Sequence, residues 1–211
     1  MPQNKYLDVS LSDDDIANEA YKAHLGGGAE TWEERGAFQL ALMKHLGLKP
    51  EHRLVDYGCG PIRAGRYFIR YLNAGHYHGF DVNADFIRAA ETIVGDTPDL
   101  AAKAPALTHA PEFLENIPAF DALLFFSVLN FVGNREKRKV LKLARSMPKD
   151  AVIWITHGRW IERMSEEDKA GIEITRLTGD DLPADLGAEA NGWEPDNRMI
   201  PILELRPSAA G

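Results

Sequence analysis

Short apolar segments alternate with amphipathic helical patterns through most of this chain. The predicted strands are 53–57, 77–81, 105–110, 120–126, 151–156, 172–177 and 199–205. Helices are predicted over 31–47, 64–72, 84–94 and 135–146, where apolar residues recur at helical spacing. Strands that alternate with helices in this way favour one parallel sheet covered on both faces. We therefore predict a doubly wound α/β fold.

The first part of the chain has a different character. Acids follow Ser12, as is typical of a helix start, and Ile16, Ala20 and Ala23 then form a weak apolar stripe. The glycines at 26–28 end this predicted helix and make a flexible joint before the helix at 31–47. We predict a helical arm or lid over 1–47, a main domain over 48–206 and a flexible tail over 207–211.

Composition narrows the classes of function. The 211 residues carry a formal net charge of −8, which makes nucleic acid a poor partner. Cys59 is the single cysteine, so no disulfide can form within the chain, as fits a reducing compartment. No secretory signal and no apolar run of membrane-spanning length is present. We expect a cytoplasmic protein without membrane association, either a monomer or a homodimer.

The most informative stretch is a strand, a glycine loop and a helix in succession. The first strand of the sheet runs into Gly58 and Gly60, where a backbone without side chains allows close approach of a ligand. Asp81 ends the next strand, 81 − 60 = 21 residues after Gly60. An acid at that place accepts hydrogen bonds from ribose hydroxyls. The combination predicts a nucleoside site.

The loop departs from the dinucleotide fingerprint G-x-G-x-x-G. Gly58 and Gly60 fit it, but Arg63 occupies the third glycine position and Gly65 is displaced by two residues. Asp56 adds an acid at the mouth of the loop, which suits a cationic amino group better than a diphosphate. The charge therefore favours a nucleoside that bears an amino acid over NAD.

These motifs resemble those of the class I S-adenosylmethionine-dependent methyltransferases. The matching segments are VDYGCG at 55–60, GFDVN at 79–83 and FDALLFFSVLNFV at 120–132. The run from 47 to 72 also resembles a bacterial subgroup with an arginine and a shifted glycine after the loop. The resemblance covers about residues 45–157. It implies a Rossmann-like, seven-stranded, mostly parallel sheet with an antiparallel last strand, and S-adenosylmethionine as cofactor.

The resemblance also assigns cofactor contacts. Gly58 and Gly60 would line the methionine part, Asp81 would hold the ribose, and Ala110 with its neighbours would flank adenine. Ser127 and Val128 would face the methyl donor. The complete predicted set is Asp56, Gly58, Cys59, Gly60, Arg63, Asp81, Val82, His109, Ala110, Ser127 and Val128.

Three positions depart from the family pattern. Ile62 replaces the common third glycine, no acid occupies the usual place near adenine at 107–111, and Asn130 replaces a frequent histidine. Arg63 has a second interpretation, as a solvated residue on one helix face with Arg66 and Arg70.

Transfer of a methyl group requires a base only when the acceptor must lose a proton. His157 follows the fifth strand and is our candidate base; it could also be a strand-end histidine bonded to water or backbone. Four residues are predicted to bind the acceptor, namely Tyr21, Asn130, Arg159 and Trp160. We expect no metal site, because His76 and His78 lack a third ligand.

The leading hypothesis is methyl transfer to a small-molecule acceptor, on oxygen or nitrogen. One alternative is an NAD-dependent oxidoreductase built on the same kind of sheet. The other is a non-catalytic methyltransferase-like protein that contacts a partner through the basic helix face at 135–145. A solvated outer face is the simpler interpretation of that helix.

Overall fold

Seven strands form one sheet in the computed structural model, which describes residues 6–110, 113–186 and 200–208. Their order in the sheet is β3-β2-β1-β4-β5-β7-β6. The strands are β1 (Leu54–Tyr57), β2 (Tyr77–Phe80), β3 (Ala106–Thr108), β4 (Ala122–Phe125), β5 (Val152–Ile155), β6 (Ile172–Leu177) and β7 (Ile202–Pro207). Strand β7 runs antiparallel to β5 and β6, whereas β1, β2 and β3 pair in parallel, as do β4 and β5. The predicted Rossmann-like fold is confirmed.

Seven α-helices that lie wholly within the described residues connect or flank these strands. They are α1 (Asp13–Ala17), α2 (Trp32–His45), α3 (Gly65–Tyr71), α4 (Ala84–Gly95), α5 (Pro98–Ala101), α6 (Asn134–Ser146) and α7 (Glu166–Lys169). The four helices predicted after residue 30 correspond to α2, α3, α4 and α6, with ends within two residues of the prediction. The short helices α5 and α7 were not predicted, because four residues are too few to show an apolar period.

The chain divides into two compact units, and residues 3–119 form the first. Strands β1 and β2 pair with Leu54 opposite Tyr77 and Tyr57 opposite Phe80, so both strands end at the same level. Leu54, Val55 and Tyr77 are buried, as expected of parallel strands that helices cover on both faces.

The N-terminal segment differs from the predicted single helix. Ser12 caps α1 through a capping box with Asp15, but Glu19 adopts a left-handed conformation with φ 57° and breaks the helix. A 3-10 helix, Ala20–His24, follows. The segment packs through a buried apolar cluster rather than through a regular stripe. The buried members of this cluster are Leu11, Ile16, Tyr21, Trp32, Phe86 and Ala89.

Residues 120–211 contain the second unit, with β4 to β7, α6 and α7. Every residue of β4 and β5 is buried, which explains why these strands read as continuous apolar runs. Each is followed by a 3-10 helix, Leu129–Phe131 and Gly158–Arg163, that sequence periodicity did not indicate. Strand β7 begins later than predicted, because Pro201 has no backbone N–H for the ladder.

Across the residues that the structure describes, no helix combines the length and the apolar character that crossing a bilayer requires.

Candidate cofactor and acceptor site

The glycine loop of the first unit turns back toward the end of β2. Gly58 and Gly60 have φ of 85° and 55°, a left-handed conformation that favours glycine. The N–H groups of Gly58 and Cys59 both donate to the carbonyl oxygen of Phe80, at 2.6 and 3.0 Å. The loop is therefore fixed to the strand that carries Asp81.

Asp81 lies directly against this loop. Its Oδ2 accepts a hydrogen bond from the Gly60 N–H at 2.9 Å, and its Oδ1 accepts one from the Asn83 N–H at 2.9 Å. The residue is 8% exposed, and burial raises the pKa of its carboxyl, while the N–H groups around it oppose that rise. The structure thus brings together the glycine loop and the acid that the sequence placed 21 residues apart.

The loop has few N–H groups left for a ligand. Gly58 and Cys59 donate to Phe80, Gly60 donates to Asp81, and Ile62 donates to the Cys59 carbonyl at 3.2 Å. Pro61 has no N–H. A diphosphate cradle needs several free N–H groups directed at one anion. This loop uses those groups internally.

Asp56 lies beneath the loop and not at its mouth. It is 5% exposed and accepts a hydrogen bond from the Tyr77 hydroxyl at 2.9 Å. Burial raises the pKa of Asp56 to about 7; the Tyr77 hydrogen bond opposes the rise, and the charge of Asp81 adds to it. Burial therefore favours the neutral form of Asp56, and Asp81 is the acid whose oxygens face the N–H groups of the loop.

Cys59 has no nucleophilic character in this position. Its thiol is buried and donates to the Gly60 carbonyl at 3.4 Å. Burial raises the pKa of the Cys59 thiol well above its usual value, and the two nearby carboxylates raise it further. The thiol accordingly stays protonated and packs in the loop.

The remaining predicted contacts of the first unit lie on its surface. Val82 is 53% exposed directly after Asp81, and His109 and Ala110 are exposed after β3. The Ala110 N–H donates to the Thr108 hydroxyl at 3.1 Å, which fixes the chain just beyond β3. An apolar side chain as exposed as Val82 offers a surface for an apolar ligand group.

Aromatic rings gather at the ends of β1 and β2, and sequence analysis missed them. The Phe80 and Phe113 rings stack with centroids 4.6 Å apart. The centroid of the Tyr57 ring also lies 4.6 Å from that of Phe80. The sequence could have indicated this cluster, because β1 and β2 each end on an aromatic residue, Tyr57 and Phe80.

Arg63 contacts the N-terminal segment. Its Nη1 donates to the Gly26 carbonyl at 2.7 Å, and its guanidinium lies 5.9 Å from the centre of a Trp32 ring. Burial lowers the pKa of Arg63 to about 10, and the charge of Arg35 adds to this effect. The solvated helix face does not describe this largely buried position, and the cofactor contact at Arg63 stays a prediction.

Tyr21 is likewise a packing residue. It is 3% exposed, and its ring centre lies 5.6 Å from that of Trp32. The predicted acceptor contact at Tyr21 does not match this buried position, because its ring faces the apolar cluster.

In the second unit, Ser127 and His157 come together after β4 and β5. The Ser127 Oγ lies 2.9 Å from the His157 Nε2, and the Ser127 N–H donates to the Thr156 hydroxyl at 2.8 Å. Both Ser127 and His157 have positive φ, 59° and 57°. Such conformations cost about 1–3 kcal/mol in non-glycine residues and occur preferentially at functional sites. Val128 and Asn130 follow in the partly buried turn after Ser127.

The predicted acceptor residues after His157 differ in exposure. Arg159 is exposed, whereas Trp160 is buried and has the Lys137 ammonium 5.6 Å from its ring centre. The basic face of α6 is largely used within the unit: Arg138 pairs with Asp168 at 3.1 Å, and Arg145 donates to the Asp168 carbonyl at 2.9 Å.

Several solved structures that resemble this chain are methyltransferases. The magnesium protoporphyrin IX methyltransferase of Synechocystis PCC 6803, solved with bound S-adenosylmethionine, matches with a TM-score of 0.56 and 15% identity over 95% of this chain and 100% of its own. A TehB-like S-adenosylmethionine-dependent methyltransferase from Corynebacterium glutamicum matches with a TM-score of 0.52 and 19% identity over 92% of this chain and 97% of its own. The plantazolicin methyltransferase BpumL, in complex with a triazolic desmethylPZN analogue and S-adenosylhomocysteine, matches with a TM-score of 0.52 and 13% identity over 93% of this chain and 91% of its own.

This chain has the fold of the S-adenosylmethionine-dependent methyltransferases. No protein-family model matches its sequence. No curated protein matches it either. At such low identity the methyltransferase fold is the shared property, and the chemistry must be argued from the residues of this chain. Within the described part of the chain, no group of three or more His, Cys, Asp or Glu side chains is placed to hold a metal ion.

Proposed function

We propose that this chain binds S-adenosylmethionine and transfers its methyl group to a small-molecule acceptor. One observation carries the cofactor part of this proposal. The N–H groups of Gly58, Cys59, Gly60 and Ile62 are bonded internally to Phe80, Asp81 and Cys59, while the Asp81 carboxyl group lies at the same loop. That arrangement offers carboxylate acceptors for ribose hydroxyls and leaves these four N–H groups unavailable to a diphosphate.

The residues present fit the proposed cofactor. Asp81 keeps lone pairs for two ribose hydroxyls, since each of its oxygens accepts one backbone N–H. Gly60 leaves room at the loop, because a Cβ there would meet only the Leu25 side chain, at 3.9 Å. Val82, His109 and Ala110 are exposed where the resemblance expects adenine. When bound, this cofactor supplies an activated methyl group on a sulfonium.

The second unit supplies a candidate for proton transfer. His157 and Ser127 are hydrogen-bonded, and neutral imidazole at Nε2 is able to accept a proton through the hydroxyl. We propose that His157 removes the proton of a hydroxyl or amine acceptor, directly or through Ser127. Asn130, Arg159 and Trp160 remain proposed acceptor contacts, and Ser127 and Val128 remain proposed cofactor contacts.

The choice of a small molecule depends on charge. The net charge of −8 disfavours a nucleic acid partner, and the most basic helix directs Arg138 and Arg145 to Asp168 within its own unit. This internal pairing also weakens the case for a binding protein that contacts a partner through that face. A cytoplasmic location and a monomeric or homodimeric state belong to the same proposal.

Isothermal titration tests the cofactor assignment against the oxidoreductase alternative. We expect S-adenosylmethionine and S-adenosylhomocysteine to bind with micromolar affinity and NAD to bind at least a hundredfold more weakly. Tight NAD binding without S-adenosylmethionine binding would contradict the proposal. A screen with cofactor labelled on the methyl group, run on phenol, carboxylic acid and amine acceptors, then separates an enzyme from a binding protein.

A further inference from the structure

The N-terminal segment is attached to the residues around the glycine loop and Asp81 near both of its ends. We refer to residues 6–31 as the arm. Near its start, the side-chain amide of Asn83 donates to the carbonyl oxygens of Tyr6 at 2.8 Å and Val9 at 2.9 Å. The side-chain amide of the buried residue Asn83 thus binds two backbone carbonyl groups that lie more than 70 residues earlier in the sequence.

Asn83 has two further roles at the same time. Its side-chain oxygen accepts hydrogen bonds from the N–H groups of Asp85 at 2.8 Å and Phe86 at 3.2 Å, which caps α4. Its own N–H donates to the Asp81 carboxylate at 2.9 Å. The residue that binds the arm therefore also positions the acid that we assign to the ribose.

The second attachment lies at the glycine loop. Arg63 donates to the Gly26 carbonyl at 2.7 Å, and a Cβ placed on Gly60 would lie 3.9 Å from the Leu25 side chain. Between the two attachments, Leu11 bonds to Asp85 at 2.8 Å through its N–H. The buried cluster around Trp32 supplies the apolar part of the contact. Both ends of the arm thus contact residues that neighbour the proposed cofactor contacts, and Leu25 lies near Gly60.

We propose that Asn83 is a positioning residue that couples closure of the arm to retention of the cofactor. This inference rests on the proposed function for its cofactor part. With the arm bound to Asn83, Leu25 and Gly26 cover the glycine loop; release of the Tyr6 and Val9 carbonyls from Asn83 frees the arm and opens the loop. Coupling between two such events is reciprocal, so cofactor binding must also shift the equilibrium of the arm toward its closed state.

The substitution Asn83→Asp separates these roles. Aspartate caps a helix as well as asparagine does, and the backbone N–H to Asp81 is unchanged. The new carboxylate has no donors, however, and repels the Tyr6 and Val9 carbonyl oxygens. Asn83→Ser retains a capping oxygen without adding charge, so it controls for electrostatic effects. Asn73→Asp is the matched control: it makes the same chemical change at an exposed residue of the same unit that lies outside the arm.

Two measurements test the coupling. Hydrogen–deuterium exchange of peptides from the arm, without cofactor, should rise roughly tenfold or more in both Asn83 variants and stay near wild type in Asn73→Asp. Stopped-flow release of S-adenosylhomocysteine should become roughly tenfold faster in the Asn83 variants, and bound S-adenosylhomocysteine should protect the wild-type arm.

Different results contradict different parts of the account. Unchanged arm exchange in both Asn83 variants would overturn the role of Asn83, and a faster-exchanging arm with unaltered ligand release would overturn the coupling. If the wild-type protein did not bind S-adenosylhomocysteine at all, the proposed function would fail, while the exchange data would still decide whether Asn83 holds the arm.

Discussion

The substitution Asp81→Asn provides a quantitative test of the proposed ribose contact. The side chain keeps its size, but the amide has one acceptor oxygen and one NH2 group where the carboxylate has two acceptors. In the structure those acceptors face the N–H groups of Gly60 and Asn83. The new NH2 must therefore oppose one of these donors, and it also loses a charge-assisted bond to a ribose hydroxyl. Such a bond contributes about 1.5–3 kcal/mol, so Kd should rise roughly ten- to a hundredfold.

The assay is isothermal titration of the variant with both S-adenosylmethionine and S-adenosylhomocysteine. The two ligands share the ribose and differ by the charge on sulfur, so a ribose contact predicts the same loss of affinity for both. Asp99→Asn is the control, because Asp99 is an exposed acid of the same unit that pairs with Arg70. Equal affinities of wild type and folded Asp81→Asn would refute the ribose contact. A loss confined to S-adenosylmethionine would show that Asp81 acts on the sulfonium through its charge instead.

Two further predictions concern the interior of the loop. Because burial raises the pKa of Asp56 to about 7, the folded state favours its neutral form, and the stability that this preference provides is lost as pH rises from about 4 through 7. Urea titrations of the cofactor-free protein at pH 5 and 8 should show a fall in the free energy of unfolding that Asp56→Asn reduces by roughly 3 kcal/mol, since about two pH units of the loss lie above pH 5; an identical pH dependence in both proteins would contradict this assignment. Gly65→Ala should lower the free energy of unfolding by about 1–3 kcal/mol, because a Cβ there would lie 2.8 Å from the Cβ of Ile62. Gly95→Ala, which meets no atom within 4 Å, should be neutral or stabilising, and equal effects at the two glycines would refute the packing argument.

The strands were predictable because a strand that is buried on both faces has a continuous run of apolar residues. The segment 120–126 was read as a buried strand, and the structure has every residue of β4 buried. The antiparallel position of β7 is different, since strand direction leaves no local pattern; that expectation came from the resemblance alone. The arm was the weakest part of the prediction, because the cluster that holds it joins Ile16 and Tyr21 to Phe86, which is distant in sequence and follows no local period.

At the site, residue spacing identified the contact between the glycine loop and Asp81, but it did not indicate the contacts with the arm. The proximity of Gly60 and Asp81 follows from two parallel strands that end at the same level, so a count of residues was enough. The contact between Arg63 and Gly26 joins residues 37 positions apart without a periodic relation, and no count predicts it. In the sequence Asn83 stood out only as the last residue of the matching segment at 79–83, and its two bonds to the arm required coordinates.

The central claim is that a nucleoside with a cationic sulfur binds at the glycine loop with its sugar at Asp81. A crystal structure of the protein with S-adenosylhomocysteine tests it most directly. We predict both ribose hydroxyls within about 3 Å of the Asp81 carboxylate oxygens and the amino-acid part of the ligand at Gly58 and Gly60. A ligand bound elsewhere, or a diphosphate bound to the loop in place of the nucleoside, would contradict the account.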